Sequence, residues 1–331
     1  MRHFLRGLLL LLSAGMLLIL TGCQRQDPIA PMATGEEAAA VPAPSEEALL
    51  PREAEVTLWF RFGSEALLAP ETRTLTLTPG TPYELTLLQA LAGGPAASSL
   101  ELGGLFPPGT KVLTTHRQGR TLFVTLSRQI MNNFADEPAT WSVTSPWATE
   151  IPLRRQLAMQ AIAATVTENC DVDTVIILVE HTTQGSDSLR LRQGYYRTGG
   201  DANALAAPLM RDESVLLTPG NTLALLLDCY RSGDWARLYA LTARTDPATG
   251  EVRPAYEAFA ARMDALPHMT DYAFSAGSVS TDGQSAVFTV TLTTLSDGRT
   301  ATSQGILRLH RERGIWRIGL SQLEGREGDL P

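Results

Sequence analysis

Lysine is almost missing from this chain: Lys111 is the single one among 27 basic residues, so nearly all positive charge is arginine. A guanidinium fork suits bidentate capture of carboxylates, but the arginines are scattered rather than clustered, and we read them as compositional bias. Basic residues are outnumbered by 35 acidic ones, which leaves a net charge of −8. A nucleic-acid binder needs a basic face to neutralise phosphates, so no nucleic acid is expected as a partner. Histidine and cysteine are also scarce, at 5 and 3, and no pair of them stands at metal-ligand spacing. A glycine-rich phosphate loop and a Gly-x-Ser-x-Gly elbow are both absent. Phosphate-loop, hydrolase-elbow and metal chemistry therefore have no footing, and no metal site or dissociable cofactor is expected.

What is present is ordinary: 44% hydrophobic and 19% charged residues in a length of 331. At roughly 100 to 200 residues per domain, that length suggests two folded units.

Residues 1–22 read as an export signal. Arg2, His3 and Arg6 make a basic start, and the apolar run from Gly7 to Leu20 is too short for an ordinary membrane span. Leu20-Thr21-Gly22-Cys23 then resembles the lipobox of bacterial lipoproteins. That resemblance implies a diacylglycerol lipid bonded to the Cys23 sulfur, cleavage before it, and further fatty acylation of the palmitate kind. Each buried methylene contributes about 0.8 kcal/mol, so two or three chains hold a protein on its bilayer where one would not. The implied location is the extracytoplasmic face of the cell membrane, with membrane lipid as a partner through Cys23. Gln24 follows, so the aspartate linked to inner-membrane retention is not there. Residues 23–54, including "DPIAPMATGEEAAAVPAPSEE", hold Pro, Ala and Glu without hydrophobic period and read as a disordered tether. Such a chain reaches on the order of 30 Å. Export permits a disulfide between Cys170 and Cys229, but they fall in different predicted domains, and two unpaired core thiols are the expectation.

Regular structure is predicted from "EVTLWFRF", where Val56, Leu58, Phe60 and Phe62 share one strand face. "TRTLTL" suggests a second strand. "PYELTLLQALAGGP" reads as a helix opened by Pro82, carrying Leu85, Leu88, Leu91 and Ala92 on one side and stopped by Gly93-Gly94-Pro95. A hairpin follows from Lys111, turning at Gln118-Gly119 and returning through Leu122, Val124 and Leu126. A helix over "PLRRQLAMQAIAATVTEN" and the apolar strand "TVIILVE" complete the set. This order predicts an α+β unit at 55–182: a small mixed sheet with two helices on one face.

The blocks "PETRTL", "YELTLLQALAGGP", "FPPGTKVL", "RTLFVTLSRQIMNNF" and "QAIAATVTENCDVDTVIILVE" resemble, in this order, the GerM (GerMN) domain of lipoproteins of spore-forming bacteria. The resemblance implies a small ring-building-like module without catalysis. It also implies partners among envelope or sporulation proteins, with homo-oligomers included. The chain departs from the pattern at 135–150, "ADEPATWSVTSPWATE", which is long and rich in Trp. Phe134, Trp141 and Trp147 are candidate partner contacts there. Asn132 and Asn133 could hold a polar ligand, but turn closure by bonds to their own backbone is the favoured reading, with Phe134 sealing the sheet end. Glu168, Asp171 and Asp173 could coordinate calcium; solvated loop carboxylates is the favoured reading, because no glycine-centred ligand loop accompanies them.

Residues 183–217 read as a connector with one possible edge strand at "SLRLRQGYY". Residues 218–323 form the second predicted domain and 324–331 a tail. Thr218-Pro219 opens a helix with Leu223, Leu226, Leu227 and Tyr230 on one stripe. Ser232-Gly233-Asp234 breaks it and caps a second, and a third carries Tyr256, Phe259, Met263 and Leu266. An antiparallel meander follows, with turns at Asp282-Gly283 and Asp297-Gly298. Helices followed by a meander resemble the cone-shaped nuclear transport factor-like (SnoaL-like) fold, some of whose members are enzymes using a carboxylate and a histidine. Asp228, Asp264, His268 and His310 are weighed on that account, against a surface reading for each. Trp235, Tyr239, Tyr256 and Phe259 could line a pocket, although aromatics at helical spacing are more often core. The expected function is a non-enzymatic, lipid-anchored module that assembles with itself or with envelope proteins in sporulation or germination. The alternative is an envelope ligand-binding or hydrolytic protein with its pocket in the second domain.

Overall fold

The computed structural model describes residues 50–181, 187–296 and 298–325. The expectations for the signal, Cys23 and most of the tether lie outside the described residues.

The chain opens with a long hairpin. β1 (Arg52–Phe62) pairs antiparallel with β2 (Leu68–Leu77) from Arg52↔Leu77 to Arg61↔Leu68. The turn between them is gripped by Arg61, whose side chain is nearly buried in β1. Its guanidinium donates to the carbonyls of Ser64 at 2.6 Å and Glu65 at 2.8 Å, and forms an ion pair with Glu150. α1 (Tyr83–Ala92) starts behind Pro82 and ends at Gly93-Gly94, as the sequence predicts. It buries Leu87, Leu88 and Leu91, with Leu85 only half-buried, so the inward stripe is turned slightly from the expected one. β3 (Leu102–Gly103) then adds to the end of β1.

β4 (Val112–Gln118) and β5 (Thr121–Leu126) form the predicted hairpin, and a 3₁₀ turn at Arg128–Met131 follows. α2 (Trp147–Asn169) crosses over to β6 (Thr174–Glu180), which runs parallel to β5 from Thr121↔Thr174 to Leu126↔Val179. β7 (Ser188–Arg190) adds an antiparallel edge beside β6. The mixed sheet is thus β4-β5-β6-β7, and the first hairpin with β3 makes a separate antiparallel sheet. α2 touches both β1 and β6, and from Leu157 to Val166 it is buried almost all round, as an apolar helix between layers must be. Its side chains also close a strand edge. Thr165 Oγ1 accepts from the Trp59 N–H at 3.1 Å, while Asn169 accepts from the Thr57 N–H at 3.0 Å and donates to the Thr57 carbonyl at 2.7 Å.

The stretch expected as a connector packs into this first core through Leu191, Tyr195, Tyr196, Ala206, Leu209 and Leu216. The Tyr195 hydroxyl donates to the Ile130 carbonyl at 2.8 Å.

α3 (Pro219–Ser232) begins at Thr218, whose hydroxyl accepts from the Asn221 N–H at 3.2 Å, and ends at Gly233 in the left-handed region at φ 69°. Asp234 caps α4 (Trp235–Leu241), and α5 (Tyr256–Asp264) completes the helical layer. The sheet that follows comprises β8 (His268–Phe274), β9 (Ser278–Val279), β10 (Ser285–Ser296), β11 (Arg299–Glu312) and β12 (Ile315–Ile318), in the order β12-β11-β10-β8 with β9 beside β10. α6 (Leu320–Leu323) closes the fold. The second core gathers Leu223, Leu226, Phe259, Phe288, Leu307 and Ile318, and it includes Phe62 and Ala69 from the first hairpin.

The two halves are therefore packed together. The Leu217 N–H donates to the Leu68 carbonyl at 2.7 Å. Arg237 grips Glu65 with two hydrogen bonds of 2.6 Å, and Arg317, only 2% exposed, reaches Glu101 at 2.5 Å and also the Ala240 carbonyl. Both remaining cysteines are free. Burial pushes the Cys170 thiol up to about 12 and the Cys229 thiol to about 11, which keeps both as inert thiols at neutral pH. Among the described residues no helix is long and apolar enough to cross a membrane.

Two stability predictions follow from these contacts. Gly314 has φ +85°, and a Cβ there would stand 2.9 Å from the Pro70 carbonyl oxygen. Gly314→Ala should therefore lose about 1–3 kcal/mol in a thermal melt, through backbone strain and separation of the halves. For Glu150, burial alone would raise the carboxyl, but hydrogen bonds from Arg61 and Arg154 and their charges hold it below the usual range. A depressed carboxyl contributes stability above its unfolded value of about 4.3 and loses it as pH falls through the folded value. Arg61→Met should cost about 3 kcal/mol at pH 7. In urea titrations the gap to wild type should narrow once the pH falls below that range.

Candidate functional site

Phe134, Trp141 and Trp147 converge on two charged side chains. Glu137 accepts the Phe134 N–H at 3.1 Å with one oxygen and the Trp141 indole N–H at 3.1 Å with the other. Arg154 lies 5.5 Å from the Phe134 ring centroid and 5.5 Å from that of Trp147. It also holds Asp136 with bonds of 2.6 and 2.8 Å and Glu150 at 2.5 Å. The hydrogen bond from Arg154 keeps the Asp136 carboxyl low against a smaller opposing effect of burial. The 135–150 insertion is thus a folded cap on the start of α2. Trp147 stands half-buried in the first turn of that helix, not in a loop, because the helix starts before Pro152. Phe134 is buried, which leaves Trp141, 38% exposed, and its neighbour Val143, 88% exposed, as the outward surface.

The asparagine pair behaves differently from the expectation. The corner is closed by backbone bonds of the 3₁₀ turn, Ile130 N–H to Ser127 at 3.1 Å and Asn132 N–H to Gln129 at 3.0 Å. Asn132 lines an open groove that also holds Arg128, Arg155, Arg190 and Arg192. Sequence reading missed this cluster, because its arginines come from the 3₁₀ turn, α2, β7 and the segment after it; no local spacing announces them.

The carboxylates before β6 are solvent-exposed, as expected, and also carry arginine partners. Arg120 pairs with Asp171 and Asp173, Arg117 with Asp171 at 3.4 Å, and Arg211 with Glu168. The hydrogen bond from Arg120 holds Asp173 below the usual carboxylate range.

In the second half, the four aromatics proposed for a pocket pack on one another and on polar neighbours. Tyr239 meets Phe259 at 5.1 Å and Tyr256 at 5.7 Å in edge-on geometry, with the Arg253 guanidinium 3.8 Å above the Tyr239 ring. The Trp235 indole donates to Asp264 at 2.5 Å, and Phe259 is fully buried. A cavity of about 40 Å³ does lie between helices and sheet, but Leu226, Leu227, Tyr230, Met269, Leu292 and Leu307 are among its lining and none of those four aromatics is. Space of that size takes a water molecule or two, not a metabolite.

The candidate acid–base residues sit on separate features. Asp228 accepts from Tyr272 at 2.9 Å and Arg231 at 2.7 Å on the outer side of α3. His268 is exposed at the start of β8. His310 lines a cleft of about 120 Å³ with Asp246, Arg308 and Ser321. Asp246, which sequence reading did not single out, accepts the Ser321 N–H at 2.7 Å and hydroxyl at 2.8 Å, and the N–H groups of Ala248 at 2.9 Å and Thr249 at 3.0 Å. Burial would raise its carboxyl, yet these donors hold it low. That loaded carboxylate is a staple between the loop after α4 and α6, with poor basicity for proton abstraction.

Comparison with known proteins places the first half. Residues 63–184 match the family model described as Germane: sporulation and spore germination. No curated protein sequence matches the chain. Among solved structures, the tandem GerMN domains of the sporulation protein GerM from Bacillus subtilis are similar at 14% identity and a TM-score of 0.32, over 50% of this chain and 48% of that one. The chain thus spans about half the length of that structure. A putative lipoprotein from Clostridium perfringens is similar at 18% identity and TM-score 0.27, over 49% of this chain and 89% of that one. An NTF2-like protein of unknown function from Shewanella oneidensis is similar at 13% identity and TM-score 0.24, over 31% and 95%. Over residues 63–184 the chain is thus similar to the family described for sporulation and spore germination.

Proposed function

We propose that this protein is a lipid-anchored, non-enzymatic component of sporulation or spore germination. In this reading it is tethered through Cys23 on the extracytoplasmic face of the cell membrane and acts by assembling with copies of itself or with envelope proteins. The observation that carries the reading is the Germane match over residues 63–184. The lipobox-like Leu20-Thr21-Gly22-Cys23 and the Pro/Ala/Glu run to residue 54 support the anchor, since acyl chains on such a cysteine would hold a folded body clear of the headgroups.

Two features of the folded part agree with association rather than turnover. The second half fills its interior with side chains, and Asp228 and His310 do not line its small internal cavity. The insertion before α2 turns an exposed Trp141 and Val143 outward on a base fixed by Glu137 and Arg154, a rigid aromatic knob of the kind that anchors protein contacts. Covalent diacylglycerol lipid is the only non-protein group that this reading requires.

Cys23→Ala should move the chain from the membrane fraction to the medium and abolish its labelling by radioactive palmitate. Trp141→Ala, with the anchor intact, should weaken in-cell cross-linking to its partner about tenfold or more, the loss of one aromatic anchor. A Cys23→Ala chain that remains membrane-bound, or a wild-type chain that is monomeric and cross-links to nothing in sporulating cells, would overturn the proposal.

A further inference from the structure

A groove of about 850 Å³ opens beside the β6–β7 end of the mixed sheet, at the upper end of the size range of small-molecule sites. Four guanidinium groups line it: Arg128 from the 3₁₀ turn, Arg155 from α2, Arg190 from β7 and Arg192 just beyond. Among the described residues of the lining Glu180, beside His181, is the one carboxylate, so the groove is strongly basic in a chain of net charge −8.

Many arginines of this chain are matched by a carboxylate. Arg61, Arg73, Arg154, Arg211, Arg237 and Arg317 each form an ion pair with a carboxylate. Among the described residues, none of the four groove arginines does. Two of them also carry a buried donor without an acceptor, Nε of Arg155 and Nε of Arg190. Leaving a charged donor buried and unmet is costly, and holding like charges together adds to that cost. A bound anion would relieve both.

Parts of the groove are held in place before any ligand arrives. Arg155 lies 4.8 Å from the Tyr195 ring centroid, and Tyr195 is itself pinned through its hydroxyl to Ile130. Arg192 donates to the backbone carbonyl and side-chain oxygen of Asn203 at 3.1 and 3.2 Å. Met131 and Leu189, both more than half exposed, add apolar surface between the charges. Fixed guanidinium forks separated by apolar patches match spaced oxyanions on an organic body better than a single small ion.

We propose that this groove binds an organic polyanion, carrying two or more carboxylate or phosphate groups, with Arg155 and Arg190 as its principal contacts. The site is distinct from the Trp141 surface and does not depend on the anchor, so its test leaves the assembly reading untouched.

The test uses the purified full chain in detergent and isothermal titration calorimetry with two probes, an acetylated Glu-Leu-Glu-Glu peptide for carboxylates and inorganic tripolyphosphate for phosphates. At least one should bind with Kd below about 1 mM at low ionic strength, and binding should weaken several-fold as salt is raised. The probe that binds more tightly identifies the anion class. Arg155→Gln combined with Arg190→Gln should weaken binding at least tenfold, and the exposed pair Arg128→Gln with Arg192→Gln should do so in part, which keeps the test decisive if the first variant folds poorly. Arg299→Gln, at an exposed position on β11, should bind as wild type. Failure of both probes to bind the wild-type chain, or equal binding by the groove variants, would overturn the proposal.

Discussion

The burial of Arg61 is the constraint on which the arrangement of this molecule depends. A guanidinium taken out of water inside a strand must find its full set of acceptors, and Arg61 finds them in the Glu150 carboxylate and in two carbonyls of the turn just ahead of it. That fixes the turn. With the turn fixed, Glu65 is presented to the two nitrogens of Arg237, and Phe62 and Ala69 on either side of it enter the core of the second half. From Glu150 the same chain of charges continues through Arg154 to Asp136, which seats the tryptophan-bearing insertion. One run of alternating charges therefore links the cap over α2, the first hairpin and the helices of the second half.

Much of the fold was legible in the residues because local signals and packing agreed. Pro82 and Gly93-Gly94 delimit α1, Thr218-Pro219 and Gly233 delimit α3, and the alternation around Leu122, Val124 and Leu126 marks a half-buried strand. Failures came where tertiary structure decided. Pro152 looks like a helix start, yet α2 already exists five residues before it, since a proline near the N-terminal end removes only one hydrogen bond from the ladder. The polar, glycine-containing run after 187 resembles a linker, but Leu191, Tyr195, Tyr196 and Leu209 are spaced irregularly and become core only once the chain folds back over the sheet.

The arginines teach a related lesson. Along the chain they look scattered, and composition alone accounts for their number. In three dimensions, among the described residues, ten of them neutralise a nearby carboxylate, while Arg128, Arg155, Arg190 and Arg192 gather in one groove without one, a distinction that no window of sequence contains. Candidate site residues were legible to the same degree: the aromatic identity of Trp141 pointed to a surface, whereas Glu137, which holds its indole, and Arg154, which lies over Phe134 and Trp147, were visible only once the insertion was folded.

The hydrogen bonds from α2 to β1 have a bearing on how the sheet margin meets its surroundings. Strands with bare backbone invite another chain to extend the sheet, and proteins that must stay discrete cover such margins. Here the amide of Thr57, its carbonyl and the amide of Trp59 are already satisfied by Asn169 and Thr165. Strand addition is thereby shut out along that stretch, where an approaching chain meets the side chains of α2 in place of bare backbone.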